Sequence, residues 1–260
     1  MTTNVEAQLE YGNWIRRRNL LILGFCALGT GALIFLPLGP LYRLVMAALF
    51  TVILLSFLFP LYAYVMFSQK GGRFQEKVYQ LIIQSLGADV GGRFLDIGSG
   101  NGVLAVTLAQ QHGGVEVLGI DDWGTDWEYS RSACEKNAQA ANVQDRVHFQ
   151  LGDAAKLDFD TGTFDGAISN LTFHEVKSVA DKKCLVQEAL RVVKEGGSFA
   201  FVDYFRDEKY YGEMPEFTRF LQGLSLAHFE CKPLRERMEM PRLLDHPRIL
   251  GKAAIIYGRK

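Results

Sequence analysis

A strand-like apolar run that ends in an acid and then meets three alternating glycines narrows the possible folds of this chain more than any other feature. The segment is Phe94-Leu95-Asp96-Ile97-Gly98-Ser99-Gly100-Asn101-Gly102, and helix-like sequence follows from Val103 to Gln111. A strand that breaks into a glycine turn and then a helix is how α/β folds bring backbone N–H groups up to a cofactor. Glycine suits the turn because it tolerates φ > 0 and has no Cβ to block close approach. The dinucleotide fingerprint is G-x-G-x-x-G, and Val103 stands where its third glycine would fall. The pattern here is Asp-x-Gly-x-Gly-x-Gly.

Downstream runs recur in strand-like form. Val115 to Ile120 reads as a second buried strand closed by Asp121, an acid placed to accept hydrogen bonds from ribose hydroxyls. Val147 to Leu151 is followed by Gly152-Asp153-Ala154. Phe164 to Asn170 is a further strand, and Leu190 to Asp203 reads as a helix end, a Gly196-Gly197 turn and another strand. Five segments in this order, over about residues 90 to 205, resemble the class I S-adenosylmethionine (SAM) dependent methyltransferases.

That resemblance implies an α/β fold: a doubly wound, mostly parallel seven-stranded sheet whose last two strands pair antiparallel at one edge. It implies SAM as cofactor. Asp96, Gly98, Ser99, Gly100, Asn101 and Gly102 would form the loop against the methionine and ribose parts. Asp121 would take the ribose, with Asp122 as neighbouring alternative, and Trp123 would pack on adenine. Asp153 and the Ala154 N–H would read the adenine edge, and Asn170 would close the site at the fourth strand tip. Plainer readings stand beside several of these: a solvated loop acid for Asp122, loop packing for Trp123, and a turn pair for Gly152-Asp153.

The acceptor side is less legible. Methyltransferases of amide or nucleobase nitrogens usually carry Asn/Asp-Pro-Pro-aromatic at the fourth strand tip, and no proline follows Asn170. The segment looks more like the small-molecule branch of the family. His174 is a candidate general base, because imidazole titrates near neutral pH, or else a residue that caps the next helix. Asp203 is the second catalytic candidate, and Tyr204 faces the same expected side. Ser169-Asn170 lacks the acidic pair of metal-dependent relatives, so no metal is expected.

Apolar residues are distributed unevenly. No charged residue occurs from Asn19 to Tyr42 or from Leu44 to Gln69. Each run exceeds the roughly 20 residues needed to cross a hydrocarbon core. The expected reading is a two-helix transmembrane hairpin over residues 19–69, between a cytosolic lead (1–18) and a methyltransferase domain (70–260). Pro37, Gly39 and Pro40 mark its turn. Tyr11, Trp14, Tyr62 and Tyr64 are candidate interfacial anchors, Ala27 and Gly31 a small-residue pair, and Pro60 a candidate kink. Arg16, Arg17 and Arg18 flank one run and Lys70, Arg73 and Lys77 the other, which places both termini and the domain on the cytoplasmic side.

A net charge of −1 gives no sign of a nucleic-acid binder. Cys26, Cys134, Cys184 and Cys231 show no paired spacing and read as reduced thiols. The expected protein is a membrane-anchored methyltransferase acting on a small, lipophilic acceptor of lipid, quinone or isoprenoid type. The alternatives are a non-catalytic SAM-binding sensor or scaffold and a protein methyltransferase acting on a membrane partner.

Overall fold

The computed structural model describes residues 9–125 and 127–260. They form two compact units. One is Gly12–Gln75. The other is Glu76–Lys260 together with the described residues Leu9–Tyr11. The expected lead over 1–18 is therefore divided. Residues 1–8 lie outside the described residues, Leu9–Tyr11 belong to the larger unit, and the rest go with the helices.

In the smaller unit, helix α1 (Arg17–Leu33) and helix α2 (Pro40–Phe67) lie against each other. A Cβ on Gly24 would meet the Phe57 ring at 3.4 Å, and one on Gly31 would meet Phe50 at 3.2 Å. The partner number falls as the glycine number rises, so the helices are antiparallel. Gly24, Ala27 and Gly31 share one face of α1, and their small size lets α2 approach closely. Pro40 opens α2 at a position where its missing N–H costs nothing, and α2 continues through Pro60. Among the described residues only Pro40–Phe67 is long and apolar enough to cross a membrane. At 17 residues α1 is not, so the expected pair of spans is not shown. The outward side chains of both helices are apolar and exposed, among them Phe25, Leu28, Leu41, Val52 and Leu55.

The larger unit is a seven-stranded sheet ordered β3-β2-β1-β4-β5-β7-β6. Its strands are β1 (Gly92–Ile97), β2 (Val115–Asp121), β3 (Val147–Leu151), β4 (Phe164–Asn170), β5 (Val193–Asp203), β6 (His228–Pro233) and β7 (Ala254–Arg259). β7 runs antiparallel to both β5 and β6, while the first five strands are parallel. α3 (Phe74–Ser85), which starts in the last two residues of the smaller unit, precedes β1, and between the strands lie α4 (Val103–Gln111), α5 (Arg131–Ala140), α6 (Lys183–Arg191), α7 (Glu208–Tyr211), α8 (Met214–Gly223) and the single turn α9 (Leu234–Arg237). Strand cores of Leu95, Ile97, Phe199 and Phe201 pack with Leu185, Val186, Phe217 and Leu221 of the helices. Chain order reverses on either side of β1, which β2 and β4 flank. In open α/β sheets, ligands sit at such a switch point, beyond the carboxyl ends of the strands.

Three expectations shift. The helix expected over 125–141 begins only at Arg131, because Ser130 caps it, its side chain accepting from the Ala133 N–H at 3.1 Å. β5 starts at Val193 rather than 198, its register jumping across the Gly196-Gly197 turn. Tyr11 is buried and stacked on Tyr79, ring centroids 6.0 Å apart, so it is no interfacial anchor.

Candidate active site

The glycine loop leaves β1 directly above the switch point. Four of its N–H groups have partners within the protein. Gly98 N and Ser99 N both donate to Ile120 O (2.8 and 3.0 Å), and Gly102 N donates to Ser99 O at 2.7 Å. Gly100 N donates to Asp121 Oδ2 at 2.9 Å. Two glycines answer to protein packing. Gly98 has φ +75°, and a Cβ there would strike Thr172, whose hydroxyl donates to Ile97 O at 3.1 Å. Gly102, at φ +73°, abuts the Phe149 ring and Cys134. The shape of the loop is therefore fixed by these contacts within the protein.

Two side chains supply what the amides do not. Asp96 Oδ2 and Asn170 Oδ1 are buried and have no hydrogen-bond partner. Asp96 pairs with Ile168 across the β1–β4 ladder. Side chains alternate along a strand, so Asn170, two residues past Ile168, lies on the same face as Asp96. Burial pushes the Asp96 carboxyl up to about 8, the nearby Asp121 charge adds to this, and the Ala105 N–H opposes it. A cationic ligand group beside Asp96 would relieve that penalty. The acceptor set therefore fits SAM, whose ammonium and hydroxyls need acceptors.

Asp121 lies at the tip of β2, and burial raises its pKa against the pull of two backbone N–H groups. Oδ2 holds Gly100 N and Oδ1 holds Trp123 N at 2.8 Å. Each oxygen keeps a second lone pair for a ribose hydroxyl. Trp123, at φ +40°, folds back so that Nε1 donates to Gly100 O at 2.8 Å. The indole therefore braces the glycine loop. The Tyr129 ring lies over Gly100, 3.5 Å from where a Cβ would be.

The remaining expected residues divide. Ser99 Oγ donates to Ile120 O at 3.1 Å. The Asn101 side chain is committed within the protein, its Nδ2 donating to Glu10 O at 3.0 Å and its Oδ1 accepting from Ser130 N at 3.1 Å. Asp122 is exposed and accepts from Gly124 N, the loop-acid reading. Asp153, past the end of β3, is exposed and accepts from Ala155 N at 2.8 Å. Ala154 packs on the main core.

Past β4, Thr172 leads into a single 3₁₀ turn, Phe173–Glu175. This turn swings His174 onto the tip of β5. His174 Nδ1 lies 2.8 Å from Asp203 Oδ1, and the His174 N–H reaches Oδ2 at 3.2 Å. The Tyr204 N–H also donates to Asp203, at 2.6 Å. Burial pulls the imidazole pKa down, but the charge and hydrogen bond of Asp203, with help from Glu175, carry it up to about 9. The Tyr204 ring stands edge-on to the imidazole at 4.5 Å, and Tyr210 lies at 5.7 Å. Tyr210, the buried Tyr211 and Lys182 were not foreseen. Tyr211 keeps an unpartnered buried hydroxyl, and Lys182 Nζ donates to Val176 O and Val179 O beneath the turn. Only the fold brings 182 and 210 to residue 174, so no motif marks them. Among the described residues no three His, Cys, Asp or Glu side chains gather as a metal site would require.

Sheet order and the switch-point loop define the fold, the Rossmann-like seven-stranded sheet of the class I methyltransferases, and the acceptor set fits SAM as cofactor. Residues 95–201 match the family described as a methyltransferase domain. The chain is 32% identical over 165 residues to an arsenite methyltransferase of Aquipseudomonas alcaligenes, covering 60% of this chain and 46% of that protein. It spans between 32% and 55% of the first curated relatives' own length. Among solved structures, the [4+2]-cyclase SpnF superposes with a TM-score of 0.53 at 20% identity, over 71% of this chain and 80% of that one. The geranyl diphosphate C-methyltransferase of Streptomyces coelicolor A3(2) does so with a TM-score of 0.52 at 15% identity, over 73% and 82%. These last two likenesses establish the fold alone.

Proposed function

We propose that the protein is a membrane-anchored, SAM-dependent methyltransferase that acts on a small, lipophilic acceptor from the cytoplasmic side. The observation that carries the catalytic reading is the set of strand tips at one switch point. Asp96 and Asn170 present unpartnered acceptors there, and His174 is held by buried Asp203 on the neighbouring tip. Bound SAM supplies a methyl group already activated on a sulfonium, so the protein's work is orientation, exclusion of water and proton management.

Asp96 meets the donor's ammonium, Asp121 its ribose, and Asn170 offers a further oxygen. Asp203 holds Nδ1, so that Nε2, which lies 3.5 Å from Glu175 Oε1, is the nitrogen an acceptor would meet in place of that carboxylate. At neutral pH that nitrogen carries a proton, given a pKa near 9. His174 therefore donates a hydrogen bond to an electron-rich acceptor atom at pH 7, and accepts its proton as pH rises.

The anchoring rests on α2, apolar along its length and without buried residues over its membrane-length window. At about 1.5 Å per residue it exceeds a 30 Å hydrocarbon core. In a bilayer α1 would accompany it as the shorter arm of a hairpin. Arginines 16–18 stand at the start of α1 and Lys70 and Arg73 follow α2, an arrangement that favours the cytoplasm for both ends. Anchoring raises the domain's effective concentration near membrane-dissolved acceptors.

The test is to incubate the full-length protein with methyl-labelled SAM and total membrane lipid extract. Label in the organic phase, with S-adenosylhomocysteine formed in equal amount, supports the reading. Label only in water-soluble products overturns the acceptor class. Binding of SAM without any turnover establishes the sensor alternative instead.

A further inference from the structure

The smaller unit has a charge pattern that anchoring alone does not require. Gly12–Gln75 contains six basic residues and no acidic one, which leaves 22 basic against 29 acidic in the rest of the chain. Five of the six lie at one end. Arg16 is the N-cap of α1, Arg17 and Arg18 open it, and Lys70 and Arg73 follow α2. The antiparallel packing brings these stretches together. Asn13 Nδ2 donates to Tyr64 O at 2.9 Å, and the Trp14 ring lies 5.0 Å from that of Phe67. With the Gln75 amide oriented to satisfy both neighbours, it accepts from Trp14 Nε1 at 3.0 Å and donates to Phe67 O at 3.1 Å. Arg17, Arg18, Lys70 and Arg73 are all exposed, and the apolar outer surface of the helices begins directly beside them. The sixth residue, Arg43, lies at the opposite end.

We infer that this collar binds the phosphate headgroups of anionic phospholipids, so that the protein selects negatively charged membrane rather than bilayer in general. The inference rests on the membrane reading above. The fit is one of charge and position. Basic side chains at the hydrocarbon boundary sit at headgroup depth, and each adds a factor of about five in attraction to an anionic surface. Arginine suits the task, because its planar fork binds phosphate in two-point fashion. The acidic remainder of the chain gains nothing from such a surface, so the preference has to come from the collar.

The experiment uses full-length protein in neutral detergent, incubated with equimolar phosphatidylcholine and phosphatidylglycerol, and counts retained lipids by native mass spectrometry. Phosphatidylglycerol is expected to be enriched about five-fold or more. The triple variant Arg17→Gln, Arg18→Gln, Lys70→Gln should lose most of that enrichment, whereas Arg43→Gln should keep it. Equal retention of the two lipids, or an equal loss in Arg43→Gln, overturns the collar. Alkaline extraction of membranes bearing the same protein distinguishes the two failures. Release into the supernatant overturns the membrane reading itself, whereas retention without lipid preference overturns the collar alone.

Discussion

His174 Nδ1 lies 2.8 Å from Asp203 Oδ1, and Asp203 is wholly shielded from solvent. A buried carboxylate on Nδ1 fixes the tautomer, and Nε2, 3.5 Å from Glu175 Oε1, is the nitrogen left to meet an acceptor beside the Glu175 carboxylate. Asp203 also makes the imidazole more basic. Neither property is visible in residues so far apart in the chain.

If Nε2 takes the acceptor's proton, kcat should climb with pH and level off above about 9, the value to which His174 is raised. His174→Ala should lower kcat by about 10²- to 10⁴-fold with little change in the KM for SAM. Asp203→Asn should move the inflection to lower pH, because the negative charge that raises it is gone. The pair also stabilises the fold. That contribution is complete below the unfolded value of 6.5 and is lost as pH rises through about 9. Steady-state kinetics across pH, with thermal melts on the same samples, check both statements.

Asp96 predicts a trade between stability and binding. Its carboxyl is raised to about 8, so the unliganded protein loses stability as pH climbs from about 4 to 8. Asp96→Asn removes that penalty and keeps an oxygen for the Ala105 N–H. At pH 8 it should melt about 2 °C or more above the parent. It should bind S-adenosylhomocysteine about ten-fold more weakly or worse. In the parent, binding should strengthen with pH up to about 8 and release a proton, which titrations in buffers of different ionisation enthalpy detect.

The loop glycines should differ in their tolerance of a methyl group. Gly100→Ala pays chiefly for φ +56°, about 1–2 kcal/mol. Gly98→Ala pays a similar backbone cost and also drives a Cβ into Thr172. Chemical denaturation should rank Gly98→Ala as clearly the more damaging. Equal costs would mean that Thr172 yields freely.

Arginine in the middle of α2 should weaken membrane retention. Val52 and Leu55 are each 62% exposed. An Arg at the centre of a spanning helix costs about 2.5–3.5 kcal/mol on insertion. The double variant Val52→Arg, Leu55→Arg should leave the membrane fraction, whereas on a water-facing helix the same change would be neutral. Fractionation followed by immunoblotting checks this.

Strand order and the cofactor end of the site were legible because they depend on local signals. An apolar run, an acid at its tip and a glycine turn are adjacent in sequence, and β1 through β5 follow from such runs. What each residue does at the site was less legible. Asn101 reads as a cofactor residue, but its amide binds Glu10 and Ser130. Nothing in the glycine motif announces that Gly98 N and Ser99 N close on Ile120 O and Gly100 N on the Asp121 carboxylate, because β2 is brought beside the loop only by the fold. The helix expected from residue 125 begins only after Ser130, whose side chain caps it, and Tyr129 lies over the loop instead. The tyrosines and Lys182 around His174 come from three separate elements, so only tertiary packing reveals them.

Isothermal titration of the full-length protein with S-adenosylhomocysteine is the most direct measurement. Binding at one site, weakened at least about ten-fold by Asp96→Asn and again by Asn170→Ala, is the predicted result. No heat from protein that melts cooperatively, or full-strength binding by both variants, would contradict the placement of the cofactor between the tips of β1 and β4.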